Sequence, residues 1–152
     1  MNPNIQLVGE VNRAVIQFRG IYSAWSKSHN MSYNEMLVLY TIRDEYFCTQ
    51  KQICDRYLLP RQTMNNVFAK MRKDGIIEID PERSIGKEKA FVLTEKGKLY
   101  AAPFLDSMTR VEIQAAETMG EEKILQMIAL VKEFDKALNT ALKKESGENQ
   151  VG

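Results

Sequence analysis

The stretch Pro60-Arg61-Gln62-Thr63-Met64-Asn65-Asn66-Val67-Phe68-Ala69-Lys70-Met71-Arg72-Lys73-Asp74-Gly75 decides how this chain folds. Proline cannot donate its amide and disfavours helical geometry in the residue before it, yet it suits the first turn of a helix. One helix must therefore stop by Leu59 and another start at Pro60. Met64, Val67, Phe68 and Met71 recur at steps of three and four, which makes a single apolar stripe, and Gly75 can take the left-handed conformation that closes a helix. With that stripe turned inward, the outward residues are Arg61, Gln62, Thr63, Asn65, Asn66 and Lys70.

Upstream, Thr49-Gln50-Lys51-Gln52 has the pattern of a capping box, in which a hydroxyl accepts from a free first-turn amide and the third residue on reaches back. It opens a short helix that buries Ile53 and Tyr57. Ser32-Tyr33-Asn34-Glu35 repeats the logic for a helix from near Tyr33 to about Asp44, with Met36, Leu37, Leu39, Tyr40 and Ile42 apolar and Glu45 to Cys48 as a short connection. Before it, Asn4 to Ser28 carries Leu7, Val11, Ala14, Val15, Phe18, Ile21, Tyr22 and Trp25 on one face of a long amphipathic helix.

Downstream, Ile77 and Ile79 alternate, Asp80 to Gly86 interrupts as a long charged tip, and Ala90-Phe91-Val92-Leu93 resumes, which reads as a β-hairpin. Thr94-Glu95-Lys96-Gly97 caps a fifth helix, in which Pro103 marks a kink or an early-turn position. Gly120 separates it from a sixth, whose stripe is Ile124, Met127, Ile128, Val131, Phe134, Leu138 and Leu142. The expected organisation is an N-terminal dimerisation helix over 1–30, a DNA-binding domain over 31–98, C-terminal dimerisation helices over 99–145 and a disordered polar tail over 146–152.

A short helix, a tight break, a helix ending in glycine and a hairpin with a basic tip make a winged helix-turn-helix. The fold class is mainly α with a small β-hairpin wing (α+β). A helix enters the major groove when its outward side chains are polar and long enough to reach base edges. Arginine suits guanine, asparagine and glutamine suit adenine, and threonine meets a thymine methyl or a phosphate. First-turn amides of the Pro60 helix can also meet a phosphate. Arg83, Lys87 and Lys89 on the hairpin suit a wing that follows the backbone or enters the minor groove. The apolar stripes of the first and sixth helices are too long for a small winged helix to cover, so a second copy of the chain is expected to bury them.

These motifs resemble the MarR (multiple antibiotic resistance regulator) family of winged-helix repressors over nearly the whole chain. The resemblance rests on Ser32-Tyr33-Asn34-Glu35-Met36, Arg61-Gln62-Thr63-Met64-Asn65-Asn66, Met71-Arg72-Lys73-Asp74-Gly75-Ile76-Ile77, Asp80-Pro81 and Val92-Leu93-Thr94-Glu95-Lys96-Gly97. Leu-Thr-x-x-Gly after a wing is the most specific of them. The resemblance implies a two-fold dimer held by the first, fifth and sixth helices. It also implies a pseudopalindromic operator, read in major grooves about 34 Å apart, and release by a small aromatic or phenolic ligand. In the family the wing carries Asp-x-Arg-Asp/Ser-x-Arg. Here Ile85 stands for the second arginine, or its role moves to Lys87, and lysine lacks the planar bidentate fork.

The net charge is +1, but it is unevenly placed: Thr49 to Lys98 holds 11 Lys and Arg against 7 Asp and Glu. A basic centre flanked by acidic helices fits a DNA reader. No apolar run approaches the roughly 20 residues that cross a bilayer, and Met1 to Asn12 has no export pattern, so a cytoplasmic location and no membrane partner are expected. Cys48 and Cys54 match no metal or redox spacing and read as structural thiols; His29 lacks partners for a metal and reads as a helix-end residue. Asp44, Glu45 and Glu35 have no accompanying nucleophile or histidine, so neither catalysis, metal nor cofactor is expected. Phe18, Tyr22, Trp25, Tyr33, Tyr40, Phe104 and Met108 are candidates for an effector pocket between the dimer helices and the DNA-binding domain, and equally for ordinary core. The near-neutral charge and altered wing leave one alternative, a winged-helix interaction scaffold that does not bind DNA.

Overall fold

A computed structural model describes residues 2–147. The polar tail read from the sequence lies, from 148 on, outside the described residues. The chain forms two compact units that meet in sequence between Asp106 and Ser107.

The first unit begins with α1, Pro3–Ser28. Asn2 caps it by accepting from the Asn4 amide at 2.9 Å, and Pro3 occupies the first position, where a missing donor costs nothing. Helix α2, Tyr33–Glu45, opens on the expected capping box: Ser32 Oγ accepts from the Glu35 amide at 3.1 Å, and Glu35 Oε2 accepts from the Ser32 amide at 2.8 Å. Helix α3, Gln50–Tyr57, repeats it with Thr49 and Gln52. The chain then passes through Leu58 in the left-handed region, with φ of 52°, and Pro60, extended at φ −61° and ψ 135°, caps α4, Arg61–Lys73. Proline thus stands just outside the helix rather than in its first turn. Helix α4 ends in a Schellman arrangement: with Gly75 at φ +70°, the Ile76 amide donates to Met71 O at 2.9 Å and the Gly75 amide to Arg72 O at 3.0 Å.

Three strands follow the order β1-β3-β2, all antiparallel: β1 is Cys48–Thr49, β2 Ile77–Ile85 and β3 Glu88–Leu93. Two expectations change here. The segment Glu45 to Cys48 is not merely a connection, because Cys48 and Thr49 pair with Phe91 and Ala90 and tie the helix-turn-helix to the wing. The interruption expected from Asp80 to Gly86 is a bulged continuation of β2 instead, with only Gly86 and Lys87 between the strands. Asp80 organises the bulge: Oδ1 accepts from the Glu82 and Arg83 amides and the Asp80 carbonyl accepts from Ser84 Oγ, which in turn accepts from the Ala90 amide across the hairpin. A bulge on an edge strand leaves one strand unpaired locally, which accommodates Pro81 without a lost ladder bond.

The core lies under α2, α3 and α4. Met36, Leu37, Leu39, Ile42, Ile53, Met64, Phe68 and Met71, all read as inward from their spacing, are buried, joined by Cys48, Ile77 and Phe91 of the sheet and by Ala101 and Phe104 of α5. Val67 and Tyr57 are half-buried against it. Helix α5 spans Glu95–Met119, with Pro103 in its third turn. In the second unit α5 ends at Met119, Gly120 takes φ +85°, and α6 runs over Glu121–Glu145.

Candidate nucleic-acid interface

On α4 the outward face is as the stripe implied. Arg61, Gln62, Asn65 and Asn66 are exposed and Thr63 is half-buried, while Met64 between them and Phe68 one turn on are sealed in the core. Burial of one face holds the other in a fixed orientation, as reading base edges requires. Arg61 and Lys87 have no ion-pair partner among the described residues. A groove of about 410 Å³ separates the start of α4 from the wing, with Gln50 and Lys51 of α3, Arg61 and Asn65 of α4, and Lys87 and Lys89 of the hairpin along its walls.

Lys70 is placed differently from its neighbours. Its Nζ donates to Glu35 Oε1 at 2.9 Å and to Asp74 Oδ2 at 3.0 Å, so it clamps the second half of α4 to the start of α2. Hydrogen bonds donated first to Glu35 and then to Asp74 hold its ammonium well above the ordinary lysine range. Burial alone would raise the Glu35 carboxyl, but the bonds from the Ser32 amide and Lys70 outweigh it and the net shift is downward.

In the wing, Arg83 pairs through Nη1 with Asp80 Oδ2, and its guanidinium carbon lies 5.8 Å from the Phe47 ring. That pairing, ahead of the backbone bonds, lowers the Asp80 carboxyl. Lys89 Nζ donates to the Gly86 carbonyl at 3.3 Å, and Lys87 stands exposed at the turn. Ile85, read from the sequence as standing for the family's second wing arginine, is 81% exposed. Gln50 and Lys51 were not read from the sequence as part of this face. Their positions depend on how α3 packs on α4, which hydrophobic spacing within either helix does not encode.

The aromatic candidates make two sets of ring contacts. Phe18 meets Tyr22 edge-on at 5.4 Å, Tyr22 meets Tyr40 at 6.3 Å, Trp25 lies 4.8 Å from His29, and His29 meets Phe104 at 5.3 Å. Phe104 is 1% exposed and belongs to the core, whereas Phe18 is open. Trp25 Nε1 is a buried donor with no partner among the described residues. His29 closes α1, its Nδ1 3.0 Å from the Trp25 carbonyl, and no cluster of three or more metal-ligating side chains occurs among the described residues. Burial, helped by Glu45, pushes the Cys48 thiol up to about 12, and burial also raises Cys54. No described helix is long and apolar enough to cross a membrane.

A helix-turn-helix packed on the core by one face and followed by a bulged hairpin defines a winged helix-turn-helix protein. No family model matches the sequence and no curated protein does, but many solved structures share the fold. The MarR family regulator NMB1585 from Neisseria meningitidis superposes with a TM-score of 0.80 at 26% identity, covering 95% of this chain and 99% of that one. NadR in complex with 4-hydroxyphenylacetate gives 0.64 at 15% identity, covering 88% and 92%. Staphylococcus aureus MarR in complex with salicylate and kanamycin gives 0.64 at 15%, covering 89% and 94%. The chain has the winged-helix fold of these MarR regulators, as its motifs implied.

Proposed function

We propose that the protein is a homodimeric transcriptional regulator that binds a pseudopalindromic operator in duplex DNA. Arg61, Gln62, Thr63, Asn65 and Asn66 read the major groove, and Arg83, Lys87 and Lys89 contact the backbone or minor groove. The observation that carries this reading is the division of α4: Met64, Phe68 and Met71 are buried while base-reading side chains stand exposed opposite the basic wing. Lys70, held by two carboxylates, has the weakest claim to a DNA contact.

Dimerisation is supported by apolar surface left open on single elements. Leu7, Val11, Val15, Phe18 and Ile21 of α1 are each 43% exposed or more, and Leu125, Met127, Ile128, Val131 and Leu138 of α6 are likewise open. Contiguous apolar stripes of this kind mark association surfaces. Repression relieved by a small aromatic compound is supported by the 4-hydroxyphenylacetate and salicylate bound in two proteins of the same fold, and in this chain by the buried, unpartnered Trp25 Nε1, whose ring stacks near His29. A gel shift with the DNA flanking the gene, run at two salt concentrations, tests the DNA reading. Binding driven by phosphate contacts must weaken steeply as salt rises. Absence of binding at low salt would leave the scaffold alternative.

A further inference from the structure

Gln50, the first residue of α3, sits at the base of the groove between α3, α4 and the wing. Its Nε2 donates to Asn65 Oδ1 and lies 3.5 Å from the carbonyl oxygen of Arg61. Gln50 is half-buried and Asn65 exposed, so the bond joins the supporting helix to the outward face of α4. On α4 itself Gln62 Nε2 lies 3.4 Å from Asn66 Oδ1, a looser contact within one helix.

We infer that Gln50 is a specificity-determining positioning residue, which holds the Asn65 carbonyl inward so that Asn65 presents its Nδ2 donor to the major groove. This rests on the reading of α4 as a DNA-recognition helix. A free asparagine grips adenine with both atoms, donating to N7 and accepting from N6. An Asn65 whose carbonyl is turned to Gln50 keeps only the donating half of that grip. Its donor suits N7 of either purine, O6 of guanine or O4 of thymine, and finds no acceptor on cytosine, which shows an N4 donor. The base facing Asn65 is therefore selected against cytosine, not for adenine alone.

The test is selection from a randomised duplex pool by the full-length protein and by Gln50→Ala, Gln50→Glu, Asn65→Ala and the Gln50→Ala/Asn65→Ala double variant, with preferences read within each pool. The unsubstituted protein should disfavour cytosine at one base position by about five- to tenfold, and Asn65→Ala should lose that preference. Gln50→Ala frees the carbonyl and should narrow the same position to adenine. In Gln50→Glu a carboxylate can only accept, so Asn65 turns over and the preference should move toward the donor-bearing bases cytosine and adenine. A carboxylate also suits a helix first turn, so this variant keeps the fold. The double variant should match Asn65→Ala. Even loss of binding with unchanged preferences, or effects that multiply in the double variant, would overturn the inference. A wild-type protein that enriches no sequence would instead overturn the DNA reading of α4 itself.

Discussion

A Cβ on Gly97 would fall 1.9 Å from the carbonyl oxygen of Ile76. Helix α5 therefore starts in direct contact with the backbone that leads into β2. Thr94 completes the junction: its amide donates to Ile76 O at 3.1 Å, its Oγ1 donates to Gly75 O, and the same oxygen accepts from the Gly97 amide at 2.8 Å. This is the physical content of Leu93-Thr94-x-x-Gly97, in which threonine caps the helix and glycine lets it approach.

Gly97→Ala should accordingly destabilise the protein by about 1–3 kcal/mol, the usual cost of overpacking, and by more if the backbone cannot yield. Chemical denaturation checks this. Ala at Gly120, where nothing lies within 4 Å, serves as a control that tests φ strain without a steric clash. Equal stability of Gly97→Ala and the unsubstituted protein would refute the close approach.

Stability should fall in acid through Glu35. Its folded carboxyl titrates below the ordinary 4.5, so its contribution is complete above that value and is lost as pH drops through the lower, folded value. Glu35→Gln keeps an acceptor for the Ser32 amide while removing the charge opposite Lys70. At neutral pH the variant should be less stable by about 1 kcal/mol, since the Lys70 end of the pair is solvent-exposed. The two stability curves should converge as pH falls from 4.5 through the lower, folded value of the carboxyl. Parallel curves down to pH 3 would show that the carboxylate has no such role.

Both thiols should be slow to react with alkylating reagents at neutral pH and become fast in denaturant, because the thiolate is the reactive form and burial disfavours it. Cys48, raised to about 12 and with no exposed surface, should be the slower. Labelling followed by mass mapping distinguishes the two sites. Rapid labelling of Cys48 in the native protein would contradict its burial in the core as part of β1.

What could be read from sequence followed from local rules, and what could not was set by tertiary contact. The capping boxes at Ser32 and Thr49, the break at Pro60 and the closing Gly75 are encoded within four or five residues, so α2, α3 and α4 fall within a residue or two of their expected bounds. The alternation of Met64, Phe68 and Met71 with Arg61, Asn65 and Asn66 likewise separates the faces of α4. Strand β1 is two residues long and exists only because Phe91 and Ala90 lie beside it, which leaves no periodicity to detect. The Asp80 bulge was hidden by Pro81, a residue that ordinarily marks the end of a strand. Lys70 looked like its exposed neighbours because Glu35, its partner, lies 35 positions away.

Arg61 and Arg83 should fail differently when truncated. Arg61 stands on the outward face of α4 without an ion-pair partner among the described residues, free to meet a base edge. Arg61→Ala should cost about 1–3 kcal/mol on the preferred sequence and relax selection at one base position. Arg83 already has a carboxylate partner in Asp80, so contact with a phosphate exchanges one anion for another, and part of the gain is offset by the pair that is broken. Arg83→Ala should weaken binding evenly across sequences and lower the slope of log affinity against log salt by about 1. Asp80→Asn, which releases the guanidinium while retaining an acceptor for the bulge amides, should strengthen binding where Arg83→Ala weakens it. Salt-dependent titrations of the three variants on one duplex measure this, and an Asp80→Asn variant that binds no better than the unsubstituted protein would remove Arg83 from the interface.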